Sequence, residues 1–362
     1  MIHILHSADF HLDAPFAALP PERAAARREE QRALLDKLAD TAQERGADLV
    51  LLAGDLWDGA QTYYETAQAL AAALRRMAVP VFIAPGNHDY YDSRSLYATM
   101  PWPENVYIFT SEEMTAVPIP SLNCVVHGSA FTGTIRQTPP LQGFSVPDDG
   151  MLHLMVLHGD VGGREKSRGA NIGTEEIART GLTYLALGHI HAPSGLQKAG
   201  DTYWAYPGCP LGRGFDEMGE RGALLLSAEP GQVTADFLPM GARRYELLEL
   251  DVTGTDPAQA LLDAIPPGAE EHCYRIRLTG EAEGLELPAL VRLVDHRFYS
   301  VDIRDHTRPP RALWAREGED CLTGAFLRQL RAREAAGEDA RQIALAAQFG
   351  LAALENREDF RP

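Results

Sequence analysis

Ile2-His3-Ile4-Leu5-His6-Ser7-Ala8-Asp9-Phe10-His11 opens the chain, and its reading decides the fold. Ile2–Leu5 has the length of a buried strand, and it delivers Asp9 and His11 directly after. The construction returns twice. Leu49–Ala53 runs into Gly54-Asp55-Leu56-Trp57-Asp58, and Val81–Ala84 runs into Gly86-Asn87-His88-Asp89. Between these runs, Arg23–Arg45 sets Leu34, Leu35, Leu38 and Ala42 on one face ahead of Gly46, and Thr62–Met77 is an Ala-rich helical stretch. The pattern is βαβαβ, which requires helices over a sheet. Further strands are predicted at Val106–Phe109, Cys124–His127, Leu152–Leu157, Tyr184–Leu187, Thr202–Ala205, Ala223–Ser227 and Val233–Leu238. So many strands predict an α/β protein of two stacked β-sheets flanked by helices.

The composition shifts near Tyr245. Strand (Tyr245–Val252), helix (Asp256–Ile265), strand (Tyr274–Leu278), helix (Leu287–Val294) and strand (Tyr299–Arg304) follow, a small α/β unit closed by Arg308-Pro309-Pro310. The remainder reads as two helical segments broken at Gly337. The expected organisation is therefore a main domain over 1–244, a small α/β domain over 245–310 and C-terminal helices over 311–362.

The 362 residues carry 33 Lys+Arg against 51 Asp+Glu, a formal net charge of −18. A protein that held DNA through a broad basic surface alone would not carry that charge, because phosphate neutralisation supplies most such affinity. Any nucleic-acid role must use a local site, metal ions or a partner's surface. Hydrophobic residues at 45% exclude wholesale disorder. No run approaches the roughly 18 apolar residues of a membrane span. The first nine residues lack a basic n-region and reach an acid, so no signal peptide is expected. Cys124, Cys209, Cys273 and Cys321 form no CxxC pair. A disulfide framework and a zinc ribbon are unexpected, and the expected location is the reducing cytoplasm.

Leu152–Leu157 delivers His158-Gly159, and Tyr184–Leu187 delivers Gly188-His189-Ile190-His191. Five strand ends thus supply Asp, Asn or His at one sheet edge, where layered α/β proteins bind ligands. Asp9, His11, Asp55, Asn87, His158, His189 and His191 form a set of carboxylates, imidazoles and one amide without cysteine. That set suits divalent ions of borderline hardness. Seven candidates are too many for one ion and suit two, with Asp55 able to offer one oxygen to each. Two ions about 3.5–4 Å apart are the usual device for phosphoester hydrolysis.

Asp-x-His, Gly-Asp, Gly-Asn-His-Asp, His-Gly and Gly-His-x-His, in this order, resemble the five motifs of the calcineurin-like metallophosphoesterases. His6-Ser7-Ala8-Asp9-Phe10-His11-Leu12, Tyr206-Pro207-Gly208 and Gly214-Phe215-Asp216-Glu217 narrow the resemblance to the SbcD-type DNA repair nucleases, including their YhaO-type branch. The resemblance implies one ion on Asp9, His11, Asp55 and His191, and a second on Asp55, Asn87, His158 and His189. Manganese is the metal it implies, with magnesium, iron or zinc as alternatives. It implies that His88 is not a ligand but faces the scissile phosphate and protonates the leaving oxygen. Asp58 stands where related phosphatases carry an acid that orients this histidine and where some repair nucleases carry a histidine. An Asp58–His88 dyad is one reading, an acid at a helix N-terminus the other. The resemblance further implies DNA as substrate, a homodimer through the Thr62–Met77 helix, and an SMC-like coiled-coil ATPase as partner, with no membrane insertion. The small α/β domain resembles the family's capping domain.

Outside the motifs, His3, His127, His153, His272, His296 and His306 read as structural, and His6 as a residue behind Asp9. Cys209 reads as a turn residue and Arg213 as a surface arginine. In the tail, Leu322, Phe326 and Leu330 form one apolar stripe, and Ile343, Ala347, Leu351 and Leu354 another. These pack either on the protein's own small domain or on the ATPase. The rival functions are a small-molecule phosphatase or cyclic-nucleotide phosphodiesterase on the same scaffold, and a non-catalytic scaffold subunit.

Overall fold

The computed structural model describes residues 1–362 except 18, 60–61, 163–169, 242, 283, 309–312 and 355–362, together with the side chain of 341. The Pro309-Pro310 break and the expected boundary at 310/311 lie outside the described residues. In chain order the elements are β1 (Ile2–Ser7), α1 (Pro21–Glu44), β2 (Leu49–Leu52), α2 (Tyr64–Met77), β3 (Val81–Ile83), the single turn α3 (Leu96–Thr99) and β4 (Val106–Ile108). Then come β5 (Thr115–Ile119), β6 (Cys124–Gly128), β7 (Leu152–Val161), β8 (Ala170–Ile172), α4 (Thr174–Arg179), β9 (Tyr184–Gly188), β10 (Gln197–Ala199), β11 (Thr202–Ala205), β12 (Gly222–Glu229) and β13 (Gln232–Pro239). The last are β14 (Tyr245–Asp251), α5 (Pro257–Asp263), β15 (Cys273–Thr279), α6 (Leu287–Val294), β16 (Ser300–Asp305), α7 (Leu322–Ala335) and α8 (Ala340–Leu354).

One sheet has the order β13-β12-β1-β2-β3-β4, and the other β10-β11-β9-β7-β6-β5 with β8 beside β7. Strands β1 to β4 run parallel, as do β6, β7, β9 and β11. Period-2 alternation sorts their side chains into layers. Leu5, Val50, Leu52, Val81 and Ile83 face Leu34, Leu35 and Leu38 of α1 and Leu70 and Leu74 of α2. Ile4, Leu49, Leu51 and Phe82 point the other way and meet Leu154, Val156, Tyr184 and Ala186 of the second sheet. Met155, Leu157, Leu185 and Leu187 cover that sheet's far face with Ile177. The architecture is the expected one, two stacked sheets flanked by helices.

The chain divides into two compact units. The first comprises Met1–Leu247, Pro267–Arg275 and His296–Val301, and the second comprises Leu248–Pro266, Ile276–Asp295 and Asp302–Pro362. The sequence reading drew three segments, whereas this division passes through β14, β15 and β16. Those strands pair in the order β14-β15-β16. In the second unit Leu327 and Leu330 of α7 pack on Ile343 and Ala347 of α8. The tail stripes therefore bury largely against each other, an arrangement distinct from the two expected, packing on the small domain or docking on the ATPase. Leu322, read as part of the first stripe, is 72% exposed, because the buried face of α7 runs through Thr323, Leu327 and Leu330. No described helix is long and apolar enough to cross a membrane.

Candidate metal centre

Three loops leave the first sheet side by side, and their backbones are zipped together. The N–H groups of Asp9, His11 and Leu12 donate to the carbonyls of Gly54, Asp55 and Leu56 at 2.9–3.0 Å. To turn their side chains inward, Asp9, His11 and Asp55 adopt left-handed backbone, with φ of 54°, 45° and 50°. Non-glycine residues rarely occupy that region, and such strain collects where side-chain aim matters. Asp89 clamps the second loop to the third. Its carboxylate accepts the N–H groups of Gly86 (2.6 Å), Asp55 (3.1 Å) and Leu56 (2.7 Å) and the Tyr97 hydroxyl (2.6 Å). Burial and the neighbouring Asp55 charge push Asp89 up to about 6. The sequence reading gave Asp89 no role.

The second sheet supplies the rest. His158 and Gly188 are register partners on β7 and β9. His158 does not end its strand as expected, because β7 continues to Val161, where β8 pairs with it. Gly188 is required by close approach: a Cβ there would lie 1.8 Å from the Ala53 carbonyl oxygen. His189 has φ 103° and donates its N–H to both oxygens of Asp9, at 3.0 and 3.1 Å. The two sheets thus meet at the site through backbone as well as side chains.

Four donor clusters occur among the described residues: Asp9/His11/His191 and Asp55/His158/His189 hold six of the expected ligands, with His11/Asp58/His88 and His191/Cys209/Glu217 beside them. Asp55 Oδ2 stands between the first two, 3.3 Å from His158 Nε2 and 3.8 Å from His11 Nε2. Asn87 Oδ1 lies 3.1 Å from His158 Nε2. All seven residues expected as ligands therefore come to one edge. Their orientation fits divalent ions. His158 Nδ1–H donates to the Ala53 carbonyl at 2.8 Å, leaving Nε2 to face the cluster. His191 Nδ1 is taken by Glu217 at 2.6 Å and His11 Nδ1 by Asp58 at 2.6 Å, so their Nε2 atoms, 3.2 Å apart, also face inward. The charges are tightly balanced. Burial opposes ionisation of Asp55, yet His158 and His11 hold its carboxyl below the usual range. Burial also opposes charge on His158, but Asp55 raises it to about 9. Burial takes His189 down to about 4.

Asp58 is more than half of a dyad. Its Oδ1 lies 2.6 Å from His11 Nδ1 and 3.0 Å from His88 Nδ1, so one carboxylate holds both imidazoles. The helix N-terminus reading is excluded, since α2 begins at Tyr64. Hydrogen bonds from both rings keep Asp58 well below the usual carboxylate range despite burial, and the bond to Asp58 raises His88. Arg213 also departs from expectation. It is not a loose surface residue: its N–H donates to Glu217 Oε2 at 2.7 Å, and its guanidinium lies 3.0 Å from Glu217 Oε1 and 3.8 Å from Asp58. Glu217 was quoted in a motif without a role. His6 sits behind the cluster, bonded to the Tyr184 hydroxyl at 2.8 Å, and burial lowers it to about 3. Cys209 is buried and its N–H donates to the His191 carbonyl at 3.1 Å, a structural use of the turn.

A stacked two-sheet sandwich with oxygen and nitrogen donors for two divalent ions at one edge defines a metal-dependent phosphoesterase. The calcineurin-like phosphoesterase family model matches residues 2–193, and the chain belongs to that family, a hydrolase acting on phosphoesters. It is 28% identical over 300 residues to the uncharacterized metallophosphoesterase YhaO of Bacillus subtilis (strain 168), covering 80% of this chain and 70% of that protein. Among solved structures it is similar to TT1561 of Thermus thermophilus, with a TM-score of 0.40 at 14% identity over 65% of this chain and 98% of the other. A dimetal phosphatase from Danio rerio gives a TM-score of 0.38 at 11% identity, again over 65% and 98%.

Proposed function

We propose that this protein hydrolyses the phosphodiester bonds of DNA as the nuclease subunit of an SbcCD-like repair complex. The observation that carries the reading is His88. Its ring lies 5.1 Å from that of His11 and its backbone N–H donates to Asp55 Oδ1 at 2.9 Å, while the ring is 47% exposed and Nδ1 is held by Asp58. Its Nε2 is thereby left for substrate. In the reaction a water oxygen bonds to phosphorus, the P–O bond to the leaving alcohol breaks, and His88 gives that alkoxide its proton. The two ions, when bound, polarise the phosphoryl group and activate the water. Asp58 keeps the His88 ring oriented and favours its protonated form.

Two further features support this reading. The second compact unit, with most of the small sheet and the α7–α8 hairpin, lies wholly beyond the matched residues 2–193, and hydrolysis of a small phosphoester does not require it. Leu345 and Leu354 stay exposed on α8, and they suit docking on an SMC-like ATPase that would supply the positive surface this chain lacks. Tyr63 and Tyr64 are exposed at the start of α2, as a homodimer through that helix requires, although Ala67, Leu70 and Leu74 pack inside the protein. The cytoplasm is the compartment that fits these partners.

One observation favours the phosphatase reading. At −18, a small substrate is easier to hold than a polyanion. A single assay separates the two. Protein loaded in turn with Mn, Mg, Fe or Zn is given labelled duplex, single-stranded and hairpin DNA, beside bis(p-nitrophenyl) phosphate and p-nitrophenyl phosphate. The expected result is DNA cleavage, strongest with manganese. Hydrolysis of the monoester alone would overturn the nuclease reading.

A further inference from the structure

Beside His88 opens a cavity of about 410 Å³, whose lining includes Trp57, Tyr90, Asp92, Arg94 and Leu96. That volume lies in the range of small-ligand sites. Its walls are fixed. Trp57 is buried with its ring centroid 4.5 Å from that of Tyr97, whose hydroxyl is tied to Asp89. Asp92 Oδ1 accepts the Arg94 N–H at 2.6 Å and the Ser95 hydroxyl donates to the Asp92 carbonyl at 2.8 Å, so the turn carrying Arg94 is pinned. Three of its polar groups are unused. Among the described residues the Trp57 indole N–H and the Tyr90 hydroxyl make no hydrogen bond, and the Arg94 guanidinium makes no ion pair.

His88 relates the cavity to the chemistry. The ring bonds Asp58 through Nδ1 and also lines the cavity. An alcohol leaving phosphorus beside His88 Nε2 therefore continues into this space. A flat aromatic group can stack on the half-buried Tyr90 ring, and such stacking is sequence-tolerant. A free guanidinium further along matches a second phosphate, which it can bind through two parallel hydrogen bonds. The leaving alcohol of a simple phosphomonoester has no second phosphate, whereas the leaving nucleotide within a polynucleotide always does.

We propose that this cavity holds the leaving-side nucleotide of a nucleic-acid strand, its base on Tyr90 and its next phosphate on Arg94. The assignment rests on the nuclease reading and specifies its substrate class as a diester followed by a further phosphate. The test uses the full chain loaded with manganese and three substrates: thymidylyl-thymidine, and its two forms carrying one extra phosphate at either end. Wild type should prefer one phosphorylated form by about tenfold in kcat/KM, the size of one good charge-assisted contact. Arg94→Ala should abolish that preference, and Arg94→Lys should retain part of it. Tyr90→Ala should raise KM for all three substrates about tenfold while Tyr90→Phe does not. Melting temperature and metal content establish that each variant is folded and loaded. If all three substrates are cut and the preference is absent, or survives Arg94→Ala, the cavity assignment fails while the nuclease reading stands. If wild type cuts none of them yet hydrolyses p-nitrophenyl phosphate, both fail.

Discussion

The Glu217 carboxylate lies 2.6 Å from Nδ1 of His191, across 26 residues of sequence. The contact fixes the ring so that Nε2 faces Asp9 and His11, and it makes that nitrogen a stronger donor. Arg213 holds Glu217 from behind and reaches toward Asp58, so one ion-paired chain supports His191, His11 and His88 together. Glu217→Gln keeps the shape but removes the charge. It is expected to weaken binding of one of the two metal ions by about 10–100-fold and leave the other nearly unchanged. Metal titration followed by elemental analysis should show loss of one equivalent; loss of both, or of neither, would contradict the assignment.

Asp58→Asn and His88→Ala should separate two kinds of damage. If His88 protonates the leaving oxygen and holds no ion, as proposed, its removal should lower turnover by about 10²–10⁴-fold while metal content is unchanged. Asp58 also orients His11, at 2.6 Å. Its amide variant should lose turnover and metal affinity together, which a simple Asp58–His88 dyad would not predict. Calorimetric metal titration of the two variants checks this. Equal metal retention in both would reduce Asp58 to a partner of His88 alone.

Much of the site was legible because apolar strand runs end abruptly in Asp, Asn and His. β1, β2, β3, β7 and β9 all show that signature within ten residues, and the fold follows from it. The supporting residues were not legible. Glu217 and Arg213 come to His191 through a loop with no periodic signal, and Asp89 looks like one more turn acid until its four hydrogen bonds are seen. β5 carries Pro118, and β10 is Gln197-Lys198-Ala199. Neither edge strand alternates apolar and polar residues, so pairing with a neighbour, rather than pattern, makes them strands. In α7, step-of-four counting chose Leu322, Phe326 and Leu330; packing on α8 takes Phe326 and Leu330 together with Leu327 and leaves Leu322 exposed.

Gly188→Ala tests how tightly the sheets are drawn together at the centre. A methyl group there meets the Ala53 oxygen at 1.8 Å and the Ala8 Cβ at 3.0 Å, and neither backbone nor buried alanine can turn away. The sheets must separate, which also pulls His158 from the Ala53 carbonyl and His189 from Asp9. A loss of about 1–3 kcal/mol of stability is expected, with metal binding impaired beyond that. Urea unfolding with and without metal would show it: the variant should lose much of the metal-dependent stabilisation that wild type displays.

Away from the centre, His127 on β6 gives the fold an acid sensitivity with a defined sign. Its Nε2 lies 3.0 Å from His153 Nδ1, His153 Nε2 lies 3.0 Å from Asp149, and the Phe144 ring packs on it edge-on with centroids 5.3 Å apart. His153 Nε2 faces Asp149, so His127 Nε2 can donate to His153 Nδ1. Burial, with the neighbouring His153, lowers His127 from 6.5 to about 4. Above about pH 6.5 the ring is neutral folded or unfolded, and nothing depends on pH. As pH falls below that, the unfolded chain takes a proton the folded one refuses, so stability declines until about pH 4, where both states are charged. His127→Gln keeps an N–H for His153 and does not titrate. Melting curves should therefore show wild type losing stability faster than the variant between about pH 6.5 and 4, with the gap constant above that window. Parallel pH profiles would place the proton uptake elsewhere.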